Sequence, residues 1–225
     1  MKKRTTVLVF LFATSVFAQK TFDLKNVSKY FDVKVEVAKC EGGFCEGKAT
    51  FSFYKKHGSK PYQVIKLADT QMWLDKAGNA QANYTLLYDE QSVVNVGDFN
   101  FDGQDDIAIC DGHHASYGMP SYRVYLSSHG KFVYSAPFSR LGQVNLGMFG
   151  VDKKKRTLET FNKSGCCWHI VERYSVLNNR PVKVFEEVQD ATIPNASRMT
   201  ITTKTLVGGR WKKSIRYEEL PSESE

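Results

Sequence analysis

The chain has 225 residues, 31 lysines and arginines against 24 acids for a formal net charge of +7, and 42% hydrophobic side chains. That length allows one domain with a sizeable core, and the composition excludes a disordered, collagenous or multi-span membrane protein. The basic side chains are scattered except in Lys153-Lys154-Lys155-Arg156 and around Arg210, Lys212, Lys213 and Arg216. Short runs of this kind belong to solvated turns and strand faces, so no nucleic-acid partner is expected.

Residues 1–18 read as a cleaved secretory signal peptide. Lys2, Lys3 and Arg4 form the basic start, residues 7–12 the apolar run, and Val16 and Ala18 the small positions before Gln19. The run is too short to span a membrane. No cysteine follows it, which argues against a lipid anchor. Export to the periplasm, or outside the cell, is the expectation. Cleavage lowers the formal charge to +4 and leaves one all-β domain over 19–220, with a polar disordered tail over 221–225.

Period-two alternation then recurs along the chain. Phe31, Val33, Val35 and Val37 alternate with Asp32, Lys34 and Glu36, and Phe51 and Phe53 follow. Further strands are expected at 62–67, 92–96, 106–110, 122–126 and 131–134. The second half adds 156–161, 168–176, 182–188, 198–206 and 210–217. Turn signals such as His57-Gly58-Ser59, Asn178-Asn179-Arg180-Pro181 and Gly208-Gly209 separate them. Many short strands at regular spacing predict antiparallel sheets packed as a sandwich or a small propeller-like array. Helix is expected only as one short turn within 139–146.

Five cysteines in an exported chain point to disulfides. Cys40 and Cys45 bracket Glu41-Gly42-Gly43-Phe44, and a bridge closing that hairpin is the simplest pairing. Adjacent cysteines rarely bond to each other, so one of Cys166 and Cys167 is expected to reach Cys110.

The segment GDFNFDGQDDIAIC, residues 97–110, concentrates acids. Counted from Asp98 as position 1, Asn100 stands at 3, Asp102 at 5, Gly103 at 6, Gln104 at 7 and Asp106 at 9. Calcium takes about six to eight hard oxygens. Side-chain oxygens of Asp98, Asn100, Asp102 and Asp106, with the Gln104 carbonyl, would supply five. Asp105 would point away or bind water. Ile109 occupies the place of the bidentate glutamate of an EF-hand, and both flanks are strand-like, so the expectation is a strand–loop–strand calcium site. So many protein ligands leave little open coordination, which makes the ion structural.

The next stretch, Asp111 to Leu126, holds His113, His114, Ser116 and Tyr117 among glycines, and then Tyr122 and Arg123. Tyrosine and serine suit recognition surfaces. These six residues are the candidate partner-binding set, held steady by the metal loop before them, although Tyr122 and Tyr125 also suit a core.

The segments DFNFDGQDDIAI, SYGMPSYRVYL, GKFVYS and SGCCWHIVERYSV resemble the XAC2610-related family of exported bacterial proteins. That family is similar in structure to the periplasmic inhibitors of invertebrate-type lysozyme. The resemblance covers residues 93–176; the acidic loop alone is shared with integrin-type FG-GAP repeats and many adhesins. It implies a calcium-stabilised β protein that blocks a secreted peptidoglycan hydrolase, in one setting as an immunity protein. In such inhibitors a Ser-Gly-x-Tyr-like loop enters the enzyme's cleft. Aligned on Tyr117, this chain has His114 and Ala115 at the Ser and Gly positions, so contact would shift to His113, His114 or Ser116.

No Gly-x-Ser-x-Gly elbow or His-Glu-x-x-His motif is present, and Cys166, Cys167 and His169 lack zinc-ligand spacing. The chain therefore reads as a binding protein without catalytic residues. The rival reading is a calcium-dependent module of adhesin type that binds a glycan or a surface protein.

Overall fold

The computed structural model describes residues 19–86, 91–193 and 197–220. The signal peptide and the tail inferred above lie outside them. Three antiparallel sheets make up the fold, and nearly all neighbouring strands are consecutive in sequence.

The first sheet contains β1 (Lys20–Leu24), β2 (Phe31–Glu41), β3 (Phe44–Lys55) and β4 (Pro61–Leu67), with the short β5 (Gln71–Trp73) pairing beside β3. The alternation in β2 has the expected outcome: Phe31, Val33, Val35 and Val37 are buried while the polar residues between them are not. In register, Val33 faces Phe53, Val35 faces Phe51 and Val37 faces Ala49. The β2–β3 hairpin closes at Gly42-Gly43, and Cys40 and Cys45, directly opposite one another, form the expected disulfide.

The second sheet runs β6 (Val94–Gly97), β7 (Asp106–Gly112), β8 (Ser121–Ser128), β9 (Lys131–Tyr134). Its central strand β7 buries Ile107, Ala108, Ile109 and Cys110 in succession, so both of its faces are covered. Sheets one and two share one apolar core, in which Phe132 meets Phe31 and Phe53 edge to face at 5.3 and 5.0 Å. Polar cross-links reinforce the seam. Thr70 donates from its hydroxyl to the Cys110 carbonyl at 2.7 Å, and the Gln63 amide both donates to and accepts from the Phe132 backbone.

Helix α1 (Ala136–Val144) follows β9 and is longer than the single turn expected. Ser135 precedes it and Pro137 stands in its first turn, a start signal that the alternation-based reading passed over. Its buried Phe138 and Leu141 join the core, and Gly142 lets it approach Tyr122 closely.

The third sheet is a meander: β10 (Gly150–Asp152), β11 (Thr157–Ser164), β12 (Trp168–Leu177), β13 (Arg180–Asp190), β14 (Arg198–Val207), β15 (Arg210–Glu219). The lysine run 153–156 is the exposed turn between β10 and β11, and the second basic cluster lies along the exposed β15.

The expected bridge from Cys110 does not form. Cys110 is free and 1% exposed within β7, whereas Cys166 and Cys167, in the β11–β12 turn, are bonded to each other. Along an extended strand adjacent side chains point to opposite faces. In a tight turn that alternation is broken, and neighbours can meet.

Candidate functional site

The acidic loop connects β6 to β7, whose pairing ends at Gly97 opposite Asp106. It is closed by its own side chains. Asp98 accepts the backbone N–H groups of Asp102 and Gly103 at 2.9 Å each, and Asp102 accepts that of Gln104 at 2.8 Å. Asn100 accepts from the Asp102 N–H at 3.2 Å and donates to the Asp102 carboxylate at 2.9 Å. Gly103, at φ 88°, makes the sharp turn that was expected of it.

Asp106 is fully buried. One of its oxygens accepts from the Phe99 and Asn100 N–H groups and the other from the Ser127 N–H. Burial pushes its carboxyl up to about 7, with those three hydrogen bonds opposing the rise. Asp105 points away from the other acids, as expected, and accepts the Ser28 hydroxyl at 2.7 Å, which ties the loop to the first sheet's side of the molecule.

The donors are all hard oxygens from three carboxylates, an amide and a carbonyl, the class calcium takes. Among the described residues no three acidic, histidine or cysteine side chains converge as a ligand cluster, because these oxygens close the loop on itself. Both Asp98 oxygens and the Asp106 oxygen facing Ser127 each retain a second lone pair beyond the backbone N–H they accept, whereas the other Asp106 oxygen already accepts two. Among the described residues no cationic side chain forms an ion pair with Asp98, Asp102 or Asp106. A buried carboxylate without a counter-charge is costly. The donor class and the missing counter-charge are those a divalent cation would answer, while in this structure the oxygens face the loop's own N–H groups.

The second candidate lies between β7 and β8. Gly112 (φ 126°), Tyr117 (φ 59°) and Gly118 (φ 68°) turn the chain sharply around a short 3-10 turn, Ser116–Gly118. Tyr117 is 61% exposed, and its hydroxyl accepts the Gly165 N–H at 2.6 Å. The Lys163 ammonium sits 5.1 Å from its ring centroid. Ser116 donates its N–H to Asn145 and its hydroxyl to Val144, at the C-terminal end of α1. His114 is exposed. His113 is half-buried, its ring 4.8 Å from that of Trp73 and tilted by 31°, and burial holds its pKa below the ordinary value.

The six residues of the partner set therefore separate. His114 and Tyr117 present themselves to solvent, and His113 and Ser116 serve mainly as props. Arg123 is exposed on β8, with its guanidinium 3.1 Å from Asp111. Tyr122 leaves the set: it is 0% exposed, and its hydroxyl donates to the Ser92 carbonyl at 2.8 Å. Strand alternation decides this, since Tyr122 and Val124 point inward and Arg123 outward.

Asp111, overlooked in sequence, organises the base of the loop through Ser121 at 2.6 Å, Arg123 and Gln143. Its partners are 10, 12 and 32 residues away, and only the first two, at alternate positions of β8, left any trace in the sequence.

The acidic loop does not hold up this loop, contrary to expectation. They lie at opposite ends of β7, about 20 Å apart at a strand rise of ~3.4 Å per residue. The β7–β8 loop rests instead on α1 and on the turn carrying Cys166 and Cys167.

No helix among the described residues is long and apolar enough to cross a membrane. No protein-family model matches the chain, and no curated protein matches it. A solved structure described as that of a Xanthomonas Type IV Secretion System related protein is similar, with a TM-score of 0.69 at 21% identity. The match covers 89% of this chain and 96% of that one. At this identity the likeness is one of fold, and it extends to nearly the whole of the all-β architecture described above.

Proposed function

We propose that this protein is an exported, calcium-stabilised binding protein that inhibits a peptidoglycan hydrolase of lysozyme type through the loop carrying His114 and Tyr117. Immunity against such an enzyme is one setting for that activity. The reading is of an inhibitor and not of an enzyme.

The observation that carries it is Tyr117. A left-handed backbone at a bulky residue costs roughly 1–3 kcal/mol and persists only where its surroundings impose it. Here the ring is largely exposed, its hydroxyl is fixed by Gly165 and its neighbour Ser116 is fixed by α1. Because the hydroxyl oxygen accepts from Gly165, its own hydrogen remains available to donate outward. Glycosidases work with a pair of carboxyl groups in an open cleft. A rigid loop offering phenol and imidazole donors suits those carboxylates, and preorganisation lowers the cost of binding. The resemblance in residues 93–176 favours the same partner class.

In this reading Asp98, Asn100, Asp102, Asp106 and the Gln104 carbonyl hold the calcium ion, which neutralises the acids and locks β6 to β7. Export suits both the disulfide chemistry and a weak calcium site, since extracellular sites often work at about 10⁻⁴–10⁻³ M.

The test is titration of the mature protein against a panel of muramidases. Inhibition by the wild type is expected. The His114→Ala/Tyr117→Ala variant should lose about tenfold or more in affinity, as for the loss of charged hydrogen bonds, with an unchanged melt. No inhibition of any muramidase would overturn the proposal.

A further inference from the structure

Far from the recognition loop, at the end of the molecule where the acidic loop meets the first sheet, lies an open cavity of about 620 Å³. That volume falls in the ~300–1,000 Å³ range of small-ligand sites. Its base is aromatic: Phe132 packs against Phe31 at 5.3 Å and lies 6.2 Å from Tyr62. The exposed Tyr30 ring stands at its edge, with the Lys29 ammonium 4.8 Å from its centroid. One wall is the acidic loop itself, from Gly103 to Asp105, and another is the β8–β9 turn with Ser127.

Four lysines line the space: Lys29, Lys55, Lys56 and Lys131. Lys56 is paired with Asp32 at 2.5 Å, and Asp105, although it accepts from Ser28, leaves one negative charge against the three remaining lysines. Lys55 and Lys131 form no ion pair among the described residues. The cavity therefore combines unpaired positive charge, aromatic faces, and the polar side chains of Gln104 and Ser127. Its shape is prebuilt, since the Gln63 amide clamps β4 to the Phe132 backbone and the Ser28–Asp105 bond fixes the opposite wall.

We infer that this cavity binds an anionic sugar, a saccharide ring carrying a carboxylate or a phosphate. The ring lies against the aromatic floor, its hydroxyls meet Gln104 and Ser127, and the anion is read by Lys55 and Lys131. An aliphatic ligand would leave the lysines and polar walls unused, and a bare anion would leave the aromatic floor unused. The site is independent of the loop that carries the proposed inhibition.

Calorimetric titration of the whole mature chain tests it, with N-acetylmuramic acid, glucose 6-phosphate, N-acetylglucosamine and inorganic phosphate as separate probes. One or both anionic sugars should bind, the neutral sugar and free phosphate each about tenfold more weakly, because each lacks one half of the recognition. Which anionic sugar binds more tightly distinguishes a carboxylate from a phosphate source. The affinity should fall with added salt. Lys55→Ala/Lys131→Ala and, separately, Tyr30→Ala should each weaken it by about tenfold, since all three side chains are exposed and can be removed without opening the core. Failure of both anionic sugars to bind, equal binding of free phosphate or of the neutral sugar, or unchanged affinity in both variants would overturn the inference. Muramidase inhibition by the Lys55→Ala/Lys131→Ala variant should equal that of the wild type, which separates this site from the inhibitory loop.

Discussion

Gly112 and Tyr117 shape the β7–β8 loop in different ways, the glycine without strain and the tyrosine with it. At Gly112 the backbone has φ 126°, and a Cβ there would lie 2.6 Å from the His114 ring. Gly112→Ala should therefore cost about 1–3 kcal/mol and displace His114. A thermal melt and a muramidase titration of the same variant would check both effects, and a wild-type result in both would show that the loop does not depend on this turn. In the acidic loop the corresponding residue is Asp102, which closes the turn through Gln104 and Asn100. In calcium, Asp102→Ala should melt where the wild type melts in chelator. An unaltered calcium-dependent melt would remove this loop as the metal site. The acidic spacing was legible in the sequence because its donors fall within nine residues. Tyr122 was misread as part of the surface because only the direction of β8 relative to the core decides which of two adjacent residues faces inward.

At the scale of elements, β7 joins the two candidate sites while keeping them apart. Its burial on both faces makes it a stiff spacer. The local network of Asp98 to Asp106 ends at the first residue of β7, and that of Asp111 begins at its far end. Asp102→Ala should accordingly leave the inhibition constant at the wild-type value when measured well below its melting temperature. A large loss of inhibition would mean that strain is transmitted along the strand. The loop contacts that do exist, from Tyr117 to Gly165 and from Ser116 to Val144, span 48 and 28 residues. No local pattern announces such pairs. The same holds for Cys166 and Cys167, whose bond depends on their falling in a turn.

Across the whole molecule, the first two sheets share a dense core, whereas the third sheet is mostly half-exposed. Among its described strand residues only Leu158, Thr160 and Ile201 are buried, and ion pairs take a larger share in joining its strands. Lys183 bonds Glu172 and Glu186, Lys204 bonds Glu186 at 2.7 Å, and Arg216 bonds Glu187 at 3.3 Å. The Lys204 hydrogen bond, helped by Lys183, holds the Glu186 carboxyl below its ordinary value against the opposing effect of burial. A depressed carboxylate contributes stability above its unfolded pKa, here 4.5, and loses it as the pH falls through the lower folded value. Melting temperature should thus fall on acidification below that value, and Glu186→Gln should make the fall shallower. An identical acid limb in the variant would show that this network does not stabilise the sheet.

The longer strands, the apolar face of β2, the Cys40–Cys45 hairpin and the crowding of acids at 98–106 were determined by the sequence itself, whereas β1, β5 and β10 were not legible in it. Each legible feature depends on residues close in the chain, where periodicity and spacing act directly. The tertiary structure decided the rest. It placed the two loops at opposite ends of one strand, buried Tyr122, left Cys110 free, and drew four lysines from three separate segments around one cavity. Those outcomes depend on how sheets pack and which residues meet across 28 to 77 positions, and a local pattern does not encode such distances.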